Sequence, residues 1–231
     1  MAQVPQQIKV AVDAVVFGYE NQQLFVLLIK QRYGQLKDRW ALPGGFVLNK
    51  ETLKSAVNRE LKEETGVSTS YLEQLYTFGD DVERDPRAHV VSVSYFGLVR
   101  PSSMRLRPTG DAKDAKWFKL SHKPDLAFDH NKIVQIAHQR LQAKLHYRPI
   151  GFQLLKSTFP FSDLENLYST ILGHDIDRRN FRKRMLTLGI VEETDKKVSI
   201  GRGRPANLFK FNKSNYTRLE KSGTILNLYL A

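Results

Sequence analysis

Between Gly45 and Val67 the chain sets glycine, charged and aliphatic residues at fixed intervals: Gly45, Glu51, Arg59-Glu60-Leu61, Glu63-Glu64 and Gly66-Val67, preceded by Ala41-Leu42-Pro43-Gly44. This spacing constrains the fold more than any other feature. It predicts a helix on which Glu60, Glu63 and Glu64 stand at i, i+3 and i+4 and so share one face, with Val57 and Leu61 as an apolar pair opposite. Gly66 stands where a helix C-cap glycine belongs. Three carboxylates on one face repel one another until a cation intervenes. A hard ion such as Mg²⁺ takes oxygen ligands of this kind and completes its shell with water and phosphate oxygens. Arg59 and Glu51 are spaced to pair and hold the glutamate face from behind.

The full pattern, G-x5-E-x7-R-E-U-x-E-E-x-G-U with U aliphatic, resembles the signature of the Nudix family, and no position of it is missing. That resemblance implies an α/β fold, an α/β/α sandwich around a mixed sheet, with Glu60, Glu63 and Glu64 as metal ligands and Glu63 and Glu64 as catalytic residues if the chain turns over. The pattern does not decide turnover, because cradling a diphosphate and cleaving it need overlapping residues. Cleavage also needs a base to orient water, often outside the pattern. Asp125, Asp129 and His130 are candidates for that base; equally, Asp129 or Asn131 caps the helix that follows.

Around the signature the chain alternates strands and helices. Ile8 to Phe17 and Gln23 to Lys30, split by a polar turn at Tyr19 to Gln22, predict a β-hairpin. Tyr71 to Phe78, His89 to Val99 and Ala115 to Leu120 predict further strands. Asn131 to Tyr147 predicts a helix with Ile133, Ile136, Ala137, Leu141 and Leu145 on one face. The charged loop around Arg84-Asp85-Pro86-Arg87 reads as a surface turn. It is also similar, together with Asp125 to His130, to what accompanies the signature in Nudix proteins acting on ADP-ribose. On that resemblance Arg84 or Arg87 faces a phosphate, Trp40, Phe46 or Phe128 stacks on adenine, and Arg39, Gly44, Gly45 and Arg59 complete the ligand-binding set.

Pro149 marks the expected boundary between a ligand-sensing domain, 1–148, and a second domain, 149–231. Ser162-Asp163-Leu164-Glu165 predicts a capping box, followed by Leu164, Leu167, Tyr168 and Ile171 at helical spacing up to a stop at Gly173. Asp177 then caps a second helix in which Phe181, Met185 and Leu188 pack inward and Arg178, Arg179, Arg182 and Lys183 face out, with Gly189 closing it. Such a basic face suits a DNA major groove, with Asn180 as a base reader. A hairpin of Ile190 to Thr194 with Asn207 to Phe211 follows. Its connection holds Lys196, Lys197 and Gly201-Arg202-Gly203-Arg204-Pro205, which resembles an AT-hook core. This wing either reads the width of an A·T-rich minor groove or touches phosphates without preference. Ser214 is expected to cap a short helix ending near Gly223, and Ile225 to Leu230 form an apolar tail that needs a cover.

Charge agrees with a polyanionic partner. The formal net charge is +12; residues 1 to 147 hold 21 Lys and Arg against 16 Asp and Glu, and residues 148 to 231 hold 15 against 8, so the shorter part is the more basic. With no cysteine, disulfides and thiolate metal sites are excluded. No apolar run spans a membrane and no signal peptide is evident, so a cytoplasmic location is expected.

Together the two parts resemble the Nudix-related transcriptional regulators of NAD metabolism. The resemblance implies a bacterial homodimeric repressor of NAD biosynthesis or salvage genes, bound to a pseudo-palindromic, A·T-rich operator on double-stranded DNA and released by ADP-ribose, with Mg²⁺ optional. The alternative is a Mg²⁺-dependent ADP-ribose pyrophosphatase carrying a basic accessory domain.

Overall fold

The computed structural model describes residues 7–199 and 205–222. The chain divides into two compact units, Met1–Glu20 with Leu24–His138, and Asn21–Gln23 with Gln139–Ala231.

The first unit contains β1 (Lys9–Glu20), β2 (Gln23–Gln31), β3 (Trp40–Ala41), β4 (Gly44–Phe46), α1 (Leu53–Thr65), β5 (Leu72–Phe78), β6 (Val90–Val99), β7 (Ala112–Lys119) and the start of α2 (His130–Leu145). Its sheet runs β3-β2-β1-β6-β5, with β4 added to β1 and β7 to β2. β1 and β6 are parallel, from Lys9 opposite Val90 to Gly18 opposite Val99, while β4, β5 and β7 pair antiparallel. The sheet is therefore mixed, as expected. β1 is central and buried from Ala11 to Tyr19, which explains its near-continuous apolar run. It continues to Glu20, three residues past the expected end. Asn21 and Gln22, both at positive φ (49° and 56°), make a two-residue turn of the kind whose twist matches a hairpin.

The α1 helix forms where the spacing put it. Thr52 caps it by accepting the Ser55 N–H, and Gly66 ends it at φ 75° by donating to Lys62 O. Ala56, Val57 and Leu61 are fully buried against Val12, Ala14 and Leu27 of the sheet. Val57 and Leu61 each contribute about 1.5–3 kcal/mol by this burial, and the Ala56 methyl less. The glutamate face is thereby turned toward β4, where Glu64 is itself buried against Gly44.

The second unit holds β8 (Phe159–Pro160), α3 (Phe161–Leu172), α4 (Arg178–Thr187), β9 (Val191–Val198), β10 (Ala206–Phe211) and α5 (Lys213–Lys221), with the sheet ordered β8-β10-β9. Leu164, Leu167, Tyr168 and Ile171 are buried at their predicted spacing, and Phe181 and Met185 face them. Rings join the layers: Tyr168 lies 4.8 Å from Phe181, and Phe161 stands edge-on to Phe209 at 5.3 Å.

Four expectations are corrected here. The capping box does not form, because Pro160 is paired with Leu208 in the sheet and leads directly into α3 at Phe161. Lys196 and Lys197 lie in β9 rather than in the connection, since β9 runs to Val198 across a register shift opposite Asn207 to Phe209. Asn212, not Ser214, caps α5, accepting the Asn215 N–H at 2.9 Å. Asp129 neither caps through its carboxylate nor stands free as a base, as described below. Gly201 to Arg204, Gly223 and the apolar tail lie outside the described residues. Among the described residues no helix is long and apolar enough to cross a membrane.

Candidate functional site: a polar cleft and a basic helix

The first unit carries a cleft of about 230 Å³ over one end of β1, where β4, α1 and the loops before β6 and α2 meet. Gly44 and Gly45 form its inner lip. A Cβ at Gly44 would sit 2.2 Å from the Val12 backbone oxygen, so only glycine lets β4 lie against β1 there, while one at Gly45 would sit 2.3 Å from Glu60 Oε1, the end of a side chain that can shift. The Gly44 N–H donates to Glu64 Oε2 at 2.8 Å. Arg59 is the expected brace: it donates to both Glu51 oxygens at 2.8 and 2.9 Å, to Glu60 Oε1 at 2.7 Å and to Phe46 O at 3.1 Å. The same guanidinium holds the Glu51 carboxyl down at about 2.

The glutamates are strained electrostatically. Burial pushes the Glu64 carboxyl well above its ordinary value despite the Gly44 hydrogen bond, and it pushes Glu60 up against the pull of Arg59. Glu63 is different: its side chain is 53% exposed and only approaches Arg59, at 3.7 Å. Oxygen donors of this kind suit Mg²⁺ in chemistry. Glu60 Oε1 is bonded to Arg59 and Glu64 Oε2 to a backbone amide, which leaves Glu60 Oε2, Glu64 Oε1 and the exposed Glu63 carboxylate as the oxygens that would hold the ion. Among the described residues no three acidic or imidazole groups converge on one cation position.

Beneath the lip lies a buried polar network that sequence reading missed. Asp13, on β1, accepts from Ser92 Oγ of β6 at 2.5 Å, lies 3.6 Å from Arg84 Nη2 and faces His130 Nε2 at 3.4 Å. Burial alone would raise its carboxyl, but His130, Ser92 and Arg84 outweigh burial and hold it below the ordinary value. His130 Nδ1 accepts the Leu42 N–H at 2.9 Å, which places the ring proton on Nε2, toward Asp13. One signal was available: an aspartate in the middle of the run Val-Ala-Val-Asp-Ala-Val-Val-Phe is a charge in a buried strand, and such charges are kept only when paired.

The two loop arginines differ in role. Arg84 is 4% exposed and grips Asp129 with two hydrogen bonds, at 2.9 and 2.6 Å. Arg87 is half-exposed, pairs with Asp85 at 2.8 Å and lies 5.2 Å from the Phe46 ring and 5.0 Å from the Phe128 ring. Phe128 sits at φ 55°, a conformation that costs a bulky residue energy and persists where the surroundings impose it. Of the expected ligand-binding set, Gly44, Gly45, Phe46, Arg84, Arg87 and Phe128 line the cleft, together with the expected metal ligands Glu60 and Glu64 and with Asp13, Asp85 and Asp111, while Arg59 braces Glu60 from behind without lining it. Arg39 and Asp125 do not; they pair with each other near the surface at 3.2 Å. Trp40 packs edge-on against Phe118.

In the second unit, Asp177 caps α4 as predicted, accepting the Asn180 N–H at 3.0 Å. Its other oxygen takes the Asn180 side-chain amide, at 2.7 Å. Arg178, Arg179 and Lys183 are exposed along α4, and Lys196 and Lys197 along β9. Arg182 is distinct, its guanidinium lying over Phe161 at 4.6 Å and Phe209 at 5.2 Å, between α3 and the wing strand β10. Arg202 and Arg204 lie outside the described residues.

A mixed sheet bearing this glutamate helix and glycine lip, followed by a helix pair and a hairpin, defines a Nudix domain joined to a winged helix. Residues 7–135 match the NUDIX domain family and residues 151–211 match the NrtR DNA-binding winged helix domain. The chain belongs to the NrtR family of Nudix-containing regulators. It is 37% identical to the ADPR responsive transcriptional repressor NtrR of Acinetobacter baylyi, over 89% of this chain and 82% of that protein. The crystal structure of Shewanella oneidensis NrtR complexed with a 27mer DNA superposes with a TM-score of 0.77 at 33% identity, covering 90% of this chain and 95% of that one. The NUDIX domain of the same Shewanella protein, crystallised with ADP ribose, matches with a TM-score of 0.55 at 36% identity over 59% of this chain and 90% of its own length.

Proposed function

We propose that this chain is a DNA-binding transcriptional repressor whose Nudix cleft takes ADP-ribose as effector and, once loaded, releases its operator. The carrying observation is the pairing in one chain of a diphosphate-sized cleft, with arginine and aromatic walls, and a capped basic helix followed by a wing. Arg87, half-exposed and paired with Asp85, is the cation that meets the diphosphate, Phe46 and Phe128 are the stacking surfaces, and the Gly44-Gly45 lip is the backbone approach. On the DNA side, Arg178, Arg179 and Lys183 address the groove and its phosphates, with Lys196 and Lys197 on β9 and, by their place in the sequence between β9 and β10, Arg202 and Arg204.

The finer reading is a cytoplasmic homodimer on a pseudo-palindromic, A·T-rich operator of NAD biosynthesis or salvage genes, with sensing in residues 1–148 and DNA binding in residues 149–231. The dimer sets two α4 helices about one DNA turn apart. α2 begins beside the cleft at His130, and the division between the compact units falls within it, so it is a continuous element through which effector binding reaches the winged helix. A difference in effector affinity between DNA-competent and released states worth about 1–3 kcal/mol changes operator affinity about 5- to 150-fold.

Fluorescence anisotropy on operator DNA at fixed salt, with and without ADP-ribose and with AMP assayed in the same tubes, tests this. Loss of binding without AMP supports a sensor. Rapid Mg²⁺-dependent AMP release, abolished by Glu63→Gln or Glu64→Gln, with DNA binding indifferent to ligand, replaces it with a pyrophosphatase.

A further inference from the structure

The two aromatic rings of the cleft are already in use. A single guanidinium, Arg87, contacts both, and Asp85 holds it there through Nε and Nη2 at 3.0 and 2.8 Å. Asp85 has a side chain only 4% exposed and also accepts the Arg87 backbone N–H at 2.9 Å, so it is a fixed anchor. Phe128 is fixed as well, by its left-handed backbone and by the His130 ring 4.9 Å away. A guanidinium is flat and stacks on aromatic faces much as a nucleobase does.

We propose that Arg87 occupies the base-stacking slot at Phe46 and Phe128 and yields it only to a ligand that also carries a diphosphate, so that Arg87 selects diphosphate-linked nucleosides against free nucleosides. The inference rests on the effector reading above and names what sets its specificity. A free nucleoside offers the rings only the stacking they already receive, and its entry separates Arg87 from Asp85 with nothing in exchange. A diphosphate supplies the exchange, because the displaced fork pairs with phosphate oxygens in place of the carboxylate. Arg84 cannot serve instead, being gripped by Asp129 beside Asp13. Stacking is thereby made conditional on charge, which is discrimination by a built-in competitor rather than by an added contact.

The test is calorimetric titration of the full chain with adenosine and with ADP-ribose, for the parent, Arg87→Ala and Arg87→Lys. Arg87→Ala is expected to bind adenosine about tenfold more tightly than the parent, the scale of one displaced cation–aromatic contact, while binding ADP-ribose no better or more weakly. Arg87→Lys, which keeps the charge but not the flat fork, is expected to fall between them for adenosine. Opposite signs for the two ligands are the signature. An Arg87→Ala chain that binds adenosine as weakly as the parent, or more weakly, overturns the proposal while leaving the effector reading intact. A parent chain that binds no ADP-ribose overturns the effector reading, and this inference with it. Arg87→Ala leaves the buried Asp85 carboxylate without its guanidinium, so a fall of about 3–6 °C in its thermal midpoint is expected, against a smaller one for Arg87→Lys, and the titrations are run well below both.

Discussion

Replacing Arg84 by methionine tests whether the buried network under the cleft is held by charge. The substitution keeps much of the side chain's volume but removes the cation that faces two carboxylates, Asp129 at 2.6 Å and Asp13 at 3.6 Å. Asp129 loses both hydrogen bonds from the guanidinium, and Asp13 is left with Ser92 and His130. Arg84 is 4% exposed, so water does not take over its role, and breaking a buried pair in this way costs about 3–5 kcal/mol. For a unit of this size that is a fall of about 10–20 °C in the unfolding midpoint. Both tryptophans, Trp40 and Trp117, lie in the first unit, so tryptophan fluorescence reports its melting alone.

The loss should also depend on pH. In the parent the Asp13 carboxyl is held below its ordinary value of 3.8, so it contributes stability that is present above that value and disappears as pH falls through the depressed one. Without Arg84 one of the groups holding it down is gone, its carboxyl rises, and taking up a proton relieves the unpaired charge. The gap between parent and variant is therefore widest near pH 7, narrows in acid, and is closed once pH has fallen through the parent's depressed value, below 3.8. Adding Asp13→Asn to the variant should recover part of the loss, because the orphaned charge is removed with its partner. A variant melting within about 3 °C of the parent at pH 7, or a gap unchanged in acid, would refute an electrostatic role for Arg84.

The two lip glycines should separate. Gly44→Ala drives a Cβ against the Val12 carbonyl of β1 and is expected to cost about 1–3 kcal/mol in urea unfolding, whereas Gly45→Ala meets only the movable end of Glu60, costs less stability and shows its effect in ADP-ribose affinity. Asp177→Ala removes the α4 cap and should cost about 1 kcal/mol, with faster amide exchange in the first turn and weaker operator binding, since that turn carries Arg178 and Arg179. On operator DNA, Arg178→Ala should lower the slope of log affinity against log salt by about 0.9, the mark of one lost phosphate contact. Arg182→Ala should weaken binding with the slope unchanged, because that guanidinium is spent on Phe161 and Phe209; a lowered slope there would return Arg182 to the phosphate contacts.

What could be read from the sequence was whatever is decided within a turn or two of chain. The α1 helix, its glutamate face, the Arg59–Glu51 brace and the Gly66 stop all depend on spacings of eight residues or fewer, and they stand where the spacing put them. Asp177 and Gly173 were legible for the same reason. The misses lie where distant chain outvotes local pattern. Ser162-Asp163-Leu164-Glu165 has the composition of a capping box, yet β10 fixes Pro160 from 48 residues away. Asp13 and Ser92 are 79 residues apart, and Arg84 and Asp129 are 45 apart; neither pair has any local signature.

Several residues that break local rules meet in the cleft, and there each breach is maintained by a neighbour with a second duty. Asp13 is a charge in a buried strand, kept by Arg84, Ser92 and His130. His130 in turn holds Leu42, just before the glycine lip, and its ring supports Phe128 in an unfavourable backbone conformation. Phe128 contacts Arg87, and Arg87 is tied to Asp85. Glu64, a buried carboxyl, is held by the lip itself through Gly44. A ligand that touches the lip or the rings therefore perturbs a chain of contacts ending at His130, the first residue of α2. Rigid, locally consistent elements could not respond in this way, whereas a set of mutually propped, individually costly conformations needs only one prop exchanged for a ligand contact to change the others.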